Sequence, residues 1–389
     1  MKKQFVKAMA LTLALILLCS ACGLGAATAT PTPAATDAGS SAAPSAAPSS
    51  SEVTVGLEKN KHTIPDYTNA GADVRVLRLS VSMGEADYGV SASGMMFKTF
   101  VDKLEELSGG KVVAQVYPAN QLASTTDDIV NGLMTGAFEM SEVGVANWGD
   151  YTTAFTAMNT PFLYATDKIA YEVISGEVGK SMFEQFNADT GIHAMGFLYL
   201  GMRTITNNIK EIHVPSDLKG MKIRVQNDPT QLAAFEALGC SVMTTSFSEL
   251  FTALQQKLCD GQDNPVITNV SKKFYEVQKY MTMLNHLPSI SLFVMGDPCY
   301  SSLSAEELAW VEQAASEATA ACYQTCLDTM DILIGQLEDY GIVVTRLTDD
   351  EQAQFAACMK DVWTMCEETM GTDKWNALQT AVKEAEAKG

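Results

Sequence analysis

Apolar residues in the first half of the chain recur with two different periods. A period of two predicts strands at residues 76–81, 111–117 and 138–145. Between these segments, apolar side chains three and four residues apart predict helices that begin near Ser91 and Thr125. The order strand, helix, strand, helix, strand is typical of an α/β unit with parallel strands. Its first turn lacks a GxGxxG pattern, so we expect no dinucleotide cofactor.

A second unit of the same kind is predicted at residues 218–265. Two short strands alternate there with two helical patterns, and Gly or Pro stands at each junction. Ligands of parallel sheets bind beyond the carboxyl ends of the strands. An arginine, amides and an aromatic ring at such ends suit a small anionic organic molecule. The residues at these positions are Arg224, Asn227, Phe247 and Asn264.

Other segments predict how the two units are joined. Apolar runs at 191–200 and 287–295 predict buried strands that cross between the units. The segment 304–334 contains neither Gly nor Pro, and Ser304 with Glu307 forms a capping box. One helix of about 30 residues, roughly 45 Å long, is expected to lie across both units. Further helical patterns are predicted from Pro161 to Ile174 and at 182–186.

The first residues carry an export signal. Three lysines precede an apolar run, Ala8–Leu18, which is too short to span a bilayer. Because Ser-Ala-Cys follows, the segment resembles a bacterial lipoprotein signal, in which residues 1–21 are removed and Cys22 is lipidated. A plain signal cut near Ala27 is the alternative. Residues 22–73, rich at first in Ala, Ser, Pro and Thr, are predicted to be a disordered tether that holds the protein outside the cell.

Composition excludes several classes of function. A chain of 389 residues with a formal charge of -20 is long enough for two lobes and too acidic for nucleic-acid binding. A cleft can still be locally positive inside an acidic protein. The cysteines include no CxxC pair and the four histidines show no paired spacing, so we expect no metal site.

An ordered set of short motifs follows in the second half of the chain. These are PF at 161–162, GxR at 201–203, DLKGxKIRV at 217–225, ALG at 237–239, FSELxxALQ at 247–255, DGQDNP at 260–265, FYEVQKY at 274–280 and NH at 285–286. Together they resemble the DctP-type solute-binding proteins of tripartite ATP-independent periplasmic (TRAP) transporters. The similarity extends from about Val74 to the C-terminus. One departure is Ala123, where the family usually has Gly.

The resemblance implies an α/β, periplasmic-binding-protein-like fold with mixed sheets. Two hinged lobes, spanned by the long helix, would close over a carboxylate-bearing solute. We assign residues 74–200 and 289–328 to the first lobe, and residues 201–288 and 329–389 to the second. The implied function is capture of an organic acid outside the cell and its delivery to a TRAP permease in the membrane, without catalysis and without a cofactor.

Roles for individual residues also come from the resemblance. It implies that Arg224 forms the main carboxylate contact and Arg203 a second basic contact, whereas Arg203 could instead pair with an acidic neighbour. Asn264 matches the asparagine that bonds the ligand, although turn chemistry could explain it. Phe247 matches the aromatic that packs on the ligand, or is a core residue. Three further residues lie in loop or strand-end positions that face the expected cleft, with packing in the core as the alternative: Tyr88, Glu142 and Trp148.

Two other functions remain open at the level of sequence. An extracellular hydrolase or lyase acting on an organic acid would need an acid–base pair near Arg224, and no such pair has a recognisable spacing. A protein that senses a ligand for a membrane receptor would use the same site and differ only in its partner.

Overall fold

The structure, a computed structural model, describes residues 56–57 and 62–388. The predicted signal peptide, the lipidation site Cys22 and most of the predicted tether lie outside this part of the chain. Within residues 56–57 and 62–388, every helix is too short or too polar to cross a membrane.

The described residues form ten strands and twelve α-helices. The strands are β1 Arg75–Ser80, β2 Val112–Tyr117, β3 Met140–Gly144, β4 Ile192–Asn207, β5 Lys222–Val225, β6 Ser241–Thr244, β7 Gly261–Pro265, β8 Tyr280–Met283, β9 Pro288–Gly296 and β10 Val343–Arg346. The helices are α1 Ala92–Ser108, α2 Thr126–Thr135, α3 Asp167–Ser175, α4 Glu177–Thr190, α5 Pro229–Ala237, α6 Leu250–Gln255, α7 Val266–Ser271, α8 Asp297–Tyr300, α9 Ala305–Tyr340, α10 Asp349–Ala357, α11 Lys360–Met370 and α12 Thr372–Ala387. This order confirms the α/β class.

The strands form one mixed sheet with two parallel groups. The main path is β2-β1-β3-β9-β4-β7-β5-β6, while β8 pairs with β4 and β10 pairs with β8. Strands β2, β1 and β3 are parallel at one end, and β7, β5 and β6 are parallel at the other. The antiparallel strands β9 and β4 join the groups. The two predicted α/β units therefore correspond to the two halves of this sheet.

Strand β4 is longer than the pattern predicted, because it serves both halves. Its first part pairs with β9, and its last residues pair with β7 and β8. The pairing with β9 is irregular between Tyr199 and Met202, where Gly201 has φ 91°. A side chain is strongly disfavoured at that φ, so glycine allows the strand to change partners without ending.

Helix α9 lies across both halves of the sheet. Its N-terminal capping box between Ser304 and Glu307 is present as predicted. The helix continues through Gly335 and ends only at Gly341, which has φ 106° and closes the last turn. It packs against α1 and β4 on one side, and against α7 and β10 further along. One rigid element therefore contacts the elements of both halves.

The helix predicted from Pro161 is wrong in its start. Phe162 has φ 55°, and its N–H donates to the carbonyl of His286 at 2.7 Å. A left-handed residue cannot begin a right-handed helix. Helix α3 begins at Asp167 instead, after Thr166 accepts a hydrogen bond from the N–H of Ile169 at 3.3 Å.

The boundary of the predicted tether at residue 73 is too late. The N–H of Tyr67 donates to Oε1 of Gln115 at 2.6 Å, and its hydroxyl donates to Glu105 at 2.7 Å. Ile64 and the ring of Tyr67 pack against the core. Residues 62–73 are thus part of the folded domain, although their composition resembles that of a linker.

The DGQDNP motif does not form the turn that its residue types suggested for Asn264. Residues 261–265 form β7, which is buried throughout. The amide of Gln262 donates to Thr206 at 2.8 Å and to Asn269 at 2.9 Å, so these polar groups are satisfied inside the sheet. Buried polar side chains are tolerated when they bond to one another. The partners that make this strand possible are distant in sequence.

We predict opposite effects for two alanine substitutions at helical glycines. A Cβ on Gly94 in α1 would lie 1.7 Å from the carbonyl oxygen of Asp87, whereas a Cβ on Gly335 in α9 would meet no atom within 4 Å. Gly335→Ala should increase the free energy of unfolding by up to about 1 kcal/mol. Gly94→Ala should decrease it by about 1–3 kcal/mol. Urea unfolding followed by circular dichroism measures both, and equal effects would contradict the close approach at Gly94.

Candidate functional site

A cavity of about 510 Å³ lies beyond the carboxyl ends of the parallel strands. Its walls come from the residues that follow β1, β3, β5 and β6, together with side chains of β4, β7 and β9. Six of the residues predicted from the sequence line it. They are Arg203, Arg224, Asn227, Asn264, Phe247 and Glu142. The position agrees with the rule for parallel sheets, since both parallel groups point their carboxyl ends at one space.

Arg224 presents a buried guanidinium to this cavity. The residue is 3% exposed. Its Nε and Nη2 donate to the carbonyl of Thr245 at 3.2 and 2.6 Å, which holds the group in place. Its Nη1 has no partner among the described residues. Burial lowers the pKa of Arg224 to about 10, opposed by Asp263, so the group stays charged at neutral pH. A fixed guanidinium with a spare donor matches a carboxylate.

Arg203 also lines the cavity, but its charge is balanced within the protein. Its Nε lies 2.6 Å from Oδ2 of Asp263, and its Nη2 donates to the carbonyl of Asp263 at 2.7 Å. The remaining nitrogen, Nη1, donates to Ser289 at 3.3 Å. This is the ion pair with an acidic neighbour that the sequence left open. It does not remove Arg203 from the cavity wall.

The ion pair is fully enclosed and contains a third ionisable group. Asp263 is 0% exposed, and His286 lies with Nε2 at 3.4 Å from its carboxylate. Burial alone would raise the pKa of Asp263, but Arg203 and His286 hold it well below its usual value. Burial lowers the pKa of His286, which keeps the imidazole neutral. The result is one compensated pair, Arg203 and Asp263, beside a neutral ring.

Asn264 and Phe247 occupy different parts of the wall. Oδ1 of Asn264 lies 3.5 Å from Nη2 of Arg203, and its Nδ2 donates to Gln262. Phe247 is 37% exposed and packs edge-on against Phe274, with a centroid separation of 6.3 Å. Because Asn264 is buried and Phe247 is open to the cavity, the first can orient a bound group and the second can cover it.

Of the three remaining candidates, one lies at the cavity and two do not. Glu142 accepts hydrogen bonds from the N–H of Ser82 at 3.0 Å and from its hydroxyl. Tyr88 and Trp148 are 2% and 0% exposed and belong to the hydrophobic core. Trp148 packs edge-on against Phe186, with ring centroids 4.7 Å apart. Large rings gain more from burial than from lining a polar cavity, which explains their placement.

Several residues at the cavity were not predicted. Nζ of Lys272 donates to the carbonyl of Ser82 at 3.2 Å and lies 5.5 Å from the ring centroid of Phe247. Gln226 and Gln231 line the wall beside Arg224. Both glutamines lie shortly after the end of β5, and this position at the carboxyl end of a strand could have predicted that they line the cavity. Lys272 follows a short helix in a Ser-Lys-Lys run, which indicates only a solvated surface.

Asp228 supports the wall from behind. Its Oδ1 accepts from the N–H of Gln231 and caps α5, while its Oδ2 accepts from Nδ2 of Asn159, both at 2.9 Å. Asn159 itself lines the cavity. Burial raises the pKa of Asp228 to about 6, and these hydrogen bonds oppose the shift. The carboxyl thus links α5 to the segment before α3.

A second cavity, of about 560 Å³, lies elsewhere, between α3, α4 and α12. Its charged side chains are mostly exposed and in part paired, as in the contact of Lys388 with Glu172 at 3.6 Å. It contains no buried guanidinium. The cavity beside Arg224 is therefore the better candidate for an anion site, although the two volumes are similar.

We predict that Asp228→Asn gains stability relative to the wild type as the pH rises. An acid whose folded pKa is raised stabilises the fold below its unfolded pKa and loses that contribution as the pH passes the folded value. With about 6 against 3.8, the difference amounts to about 3 kcal/mol at most. Urea unfolding of both proteins at pH 4 and pH 6.5 measures it. A difference that does not change with pH would contradict the buried carboxyl.

Known proteins of similar sequence agree with a binding site at this cavity. Residues 90–369 match the family model DctP, described as bacterial extracellular solute-binding protein, family 7. A solute-binding protein of Roseobacter denitrificans is 30% identical over 264 residues, which are 67% of this chain and 79% of that protein.

Solved structures show the same architecture. The sugar acid binding protein of Advenella mimigardefordensis, in complex with galactonate, has a TM-score of 0.75 and 26% identity over 81% of this chain and all of that one. A TRAP periplasmic solute-binding protein of Shewanella oneidensis, with bound succinate, has a TM-score of 0.74 and 26% identity, over 79% of this chain and 99% of that one. The predicted two-lobed fold is confirmed. Because the family model covers well over half of the sequence, this chain belongs to the DctP family of extracellular solute-binding proteins.

Proposed function

We propose that this protein captures a small carboxylate-bearing solute outside the cell and delivers it to a TRAP permease. The observation that carries the proposal is the guanidinium of Arg224, which is 3% exposed and has a nitrogen without a partner among the described residues. A buried cation is costly unless a negative group compensates it. A solute carboxylate in the cavity would supply that group.

We assign the residues at the cavity to distinct roles. Arg224 binds the solute carboxylate, and Arg203 lends a second donor while it stays paired with Asp263. Asn264 orients the same carboxylate through its amide, and Phe247 covers the solute. Charged hydrogen bonds contribute about 1.5–3 kcal/mol each, so two or three of them support roughly micromolar affinity. No role at the ligand is assigned to Tyr88 or Trp148.

Binding should couple to the relative position of two lobes. We propose residues 74–200 with 289–328 as one lobe, and residues 201–288 with 329–389 as the other. The cavity takes its wall from both: Glu142 and Ser82 come from the first, and Arg224 and Lys272 come from the second. A solute that touches both sides favours the closed arrangement, which a permease could recognise.

We propose that the solute is released unchanged. The protein relatives described above are named for binding solutes, and this chain shares their fold over most of its length. The cavity includes the carboxylates of Asp87 and Glu142. Glu142 accepts hydrogen bonds from Ser82, and three strands, β9, β4 and β7, lie between its strand β3 and the strand β5 that carries Arg224. A carrier therefore accounts for the site with fewer assumptions than a hydrolase or lyase.

The N-terminal segment supplies the location. We propose that residues 1–21 are a signal peptide, that Cys22 carries the lipid, and that the residues after it tether the folded domain to the cell membrane. The family is extracellular, which agrees with export. A lipid anchor would hold the binding protein within reach of a membrane permease.

We predict that Arg224→Ala loses binding of organic acids while it keeps the fold. The variant removes the charge and the spare donor, so affinity should fall by at least roughly 100-fold. Arg224→Lys should recover only a part, because an ammonium cannot form the paired contact. Titration calorimetry with the acid identified by a thermal-shift panel measures this.

Arg346 offers a matched control for that experiment. It is exposed and pairs with Glu338 at 2.6 Å, far along the chain from the cavity. Arg346→Ala should leave affinity unchanged. Equal affinity in Arg224→Ala and the wild type would remove the central assignment, and chemical conversion of the acid during incubation would favour an enzyme.

We predict that Cys22→Ser releases the protein from the membrane. The serine hydroxyl cannot form the thioether to lipid, so labelled fatty acid should no longer be incorporated and the protein should move from the membrane fraction to the soluble one. Expression in a bacterial host, followed by fractionation and detergent partitioning, tests this. If the wild type and the variant are both soluble and neither incorporates labelled fatty acid, the result would point instead to a plain signal cut near Ala27.

A further inference from the structure

We infer that the cavity selects a solute with one carboxylate and several hydroxyl groups, rather than a dicarboxylate or an unsubstituted fatty acid. This inference rests on the proposed function, since it assumes that Arg224 binds a carboxylate. Solved relatives hold either kind of acid, a sugar acid in one and succinate in another, so family membership leaves the choice open. The charges and hydrogen-bonding groups of this cavity decide it.

One cation of the cavity wall has no carboxylate in contact among the described residues. The cations of the wall are Arg203, Arg224 and Lys272. Arg203 is balanced by Asp263, which lies 2.6 Å away behind the wall, and Lys272 and Glu142 both bond to Ser82. The charge of Arg224 is left for the solute. A monoanion compensates this charge, while a dianion would bring a second negative charge without a cation to receive it.

The two ends of the cavity differ in charge. Near Ser82, Glu142 accepts from the N–H and hydroxyl of Ser82, and Lys272 donates to the carbonyl of the same residue. The one cation described at this end is therefore matched by the carboxylate of Glu142. A second carboxylate on the solute, placed opposite the one at Arg224, would meet the like charge of Glu142 and find no spare cation.

Gln231 supplies the evidence for hydroxyl groups. It is 2% exposed, and its Nε2 donates to Oε1 of Gln226 at 3.2 Å. Gln231 lines the same cavity, and its buried Oε1 has no partner among the described residues. An amide oxygen can only accept, and neither a carboxylate nor an alkyl chain can donate to it. A solute hydroxyl can, and it thereby satisfies a buried acceptor that is otherwise costly.

The rest of the wall matches such a solute. Neutral hydroxyl and amide side chains dominate it, and these both donate and accept. Examples are Ser93, Asn120, Asn147, Asn227 and Ser291. A hydroxyl group has the same dual capacity, whereas a methylene chain offers these groups no hydrogen bond. An ammonium group fits less well, because Lys272 already occupies the acidic end.

The experiment compares acids of equal carbon number on the mature, signal-cleaved protein. Gluconate, galactonate and glucuronate carry one carboxylate and several hydroxyls, hexanoate carries one carboxylate alone, and adipate carries two. Titration calorimetry should show binding of at least one of the hydroxylated acids, with hexanoate and adipate weaker by at least roughly 100-fold. Tighter binding of adipate or hexanoate than of all three hydroxylated acids would overturn the inference.

Two variants test the residues that carry the inference. Gln231→Met keeps the volume and removes the acceptor, so affinity for the hydroxylated acid should fall by at least roughly tenfold while affinity for hexanoate does not fall. Glu142→Gln removes one negative charge and keeps an acceptor for Ser82, so affinity for adipate should rise relative to the hydroxylated acid. Gln313→Met, on the exposed face of α9, is the matched control.

The outcomes separate this inference from the proposed function. If adipate or hexanoate binds best and Arg224→Ala abolishes that binding, carboxylate capture stands and the selection of hydroxyl groups falls. If no acid of any class binds, the proposed function itself falls. Thermal unfolding without ligand shows whether each variant is folded. If Gln231→Met does not fold, the rise in adipate affinity expected for Glu142→Gln still tests the inference. An unchanged ratio of affinities in Glu142→Gln would contradict the role of charge at the Ser82 end.

Discussion

The buried guanidinium of Arg224 is the constraint on which the rest of this site depends. Removing a cation from water is costly, and the protein offsets only part of that cost through the carbonyl of Thr245. Asp263 is already engaged by Arg203 at 2.6 Å. The surplus of positive charge therefore belongs to the cavity and is available for an anionic solute. A protein of formal charge -20 can bind an anion for this local reason.

The pair formed by Arg203 and Asp263 has a structural part in that arrangement. It lies on neighbouring strands β4 and β7, next to the irregularity at which β4 changes partner. Its interior position requires that every lone pair and donor be occupied, and Asn264, Ser289 and the backbone meet much of that demand. Arg203 is thus held by its contact with Asp263 and supports the wall, whereas Arg224 keeps a nitrogen without a partner among the described residues and is the group that recognises the solute. The same crossing also joins the two halves of the sheet.

Much of the fold was predictable from local pattern, because period and end signals act over a few residues. The capping box at Ser304, the strands on either side of α1 and the parallel strand β5 are examples. Errors arose where distant groups override local preference. Phe162 is held at positive φ by a bond to His286, and the polar strand β7 depends on Thr206 and Asn269. Neither partner is visible in the local sequence.

By itself, the sequence determined the α/β class, the family and the residues Arg224, Arg203, Asn264, Phe247 and Glu142 at the cavity. It could do so because motif order and strand ends are local properties. Only the tertiary structure decided that Tyr88 and Trp148 are core residues, that Arg203 is already paired, and that Lys272 and Gln231 reach the cavity. Those outcomes depend on which charges and hydrogen-bonding groups come into contact from elements far apart in the chain. Burial strengthens each of these contacts and makes an unpaired polar group costly.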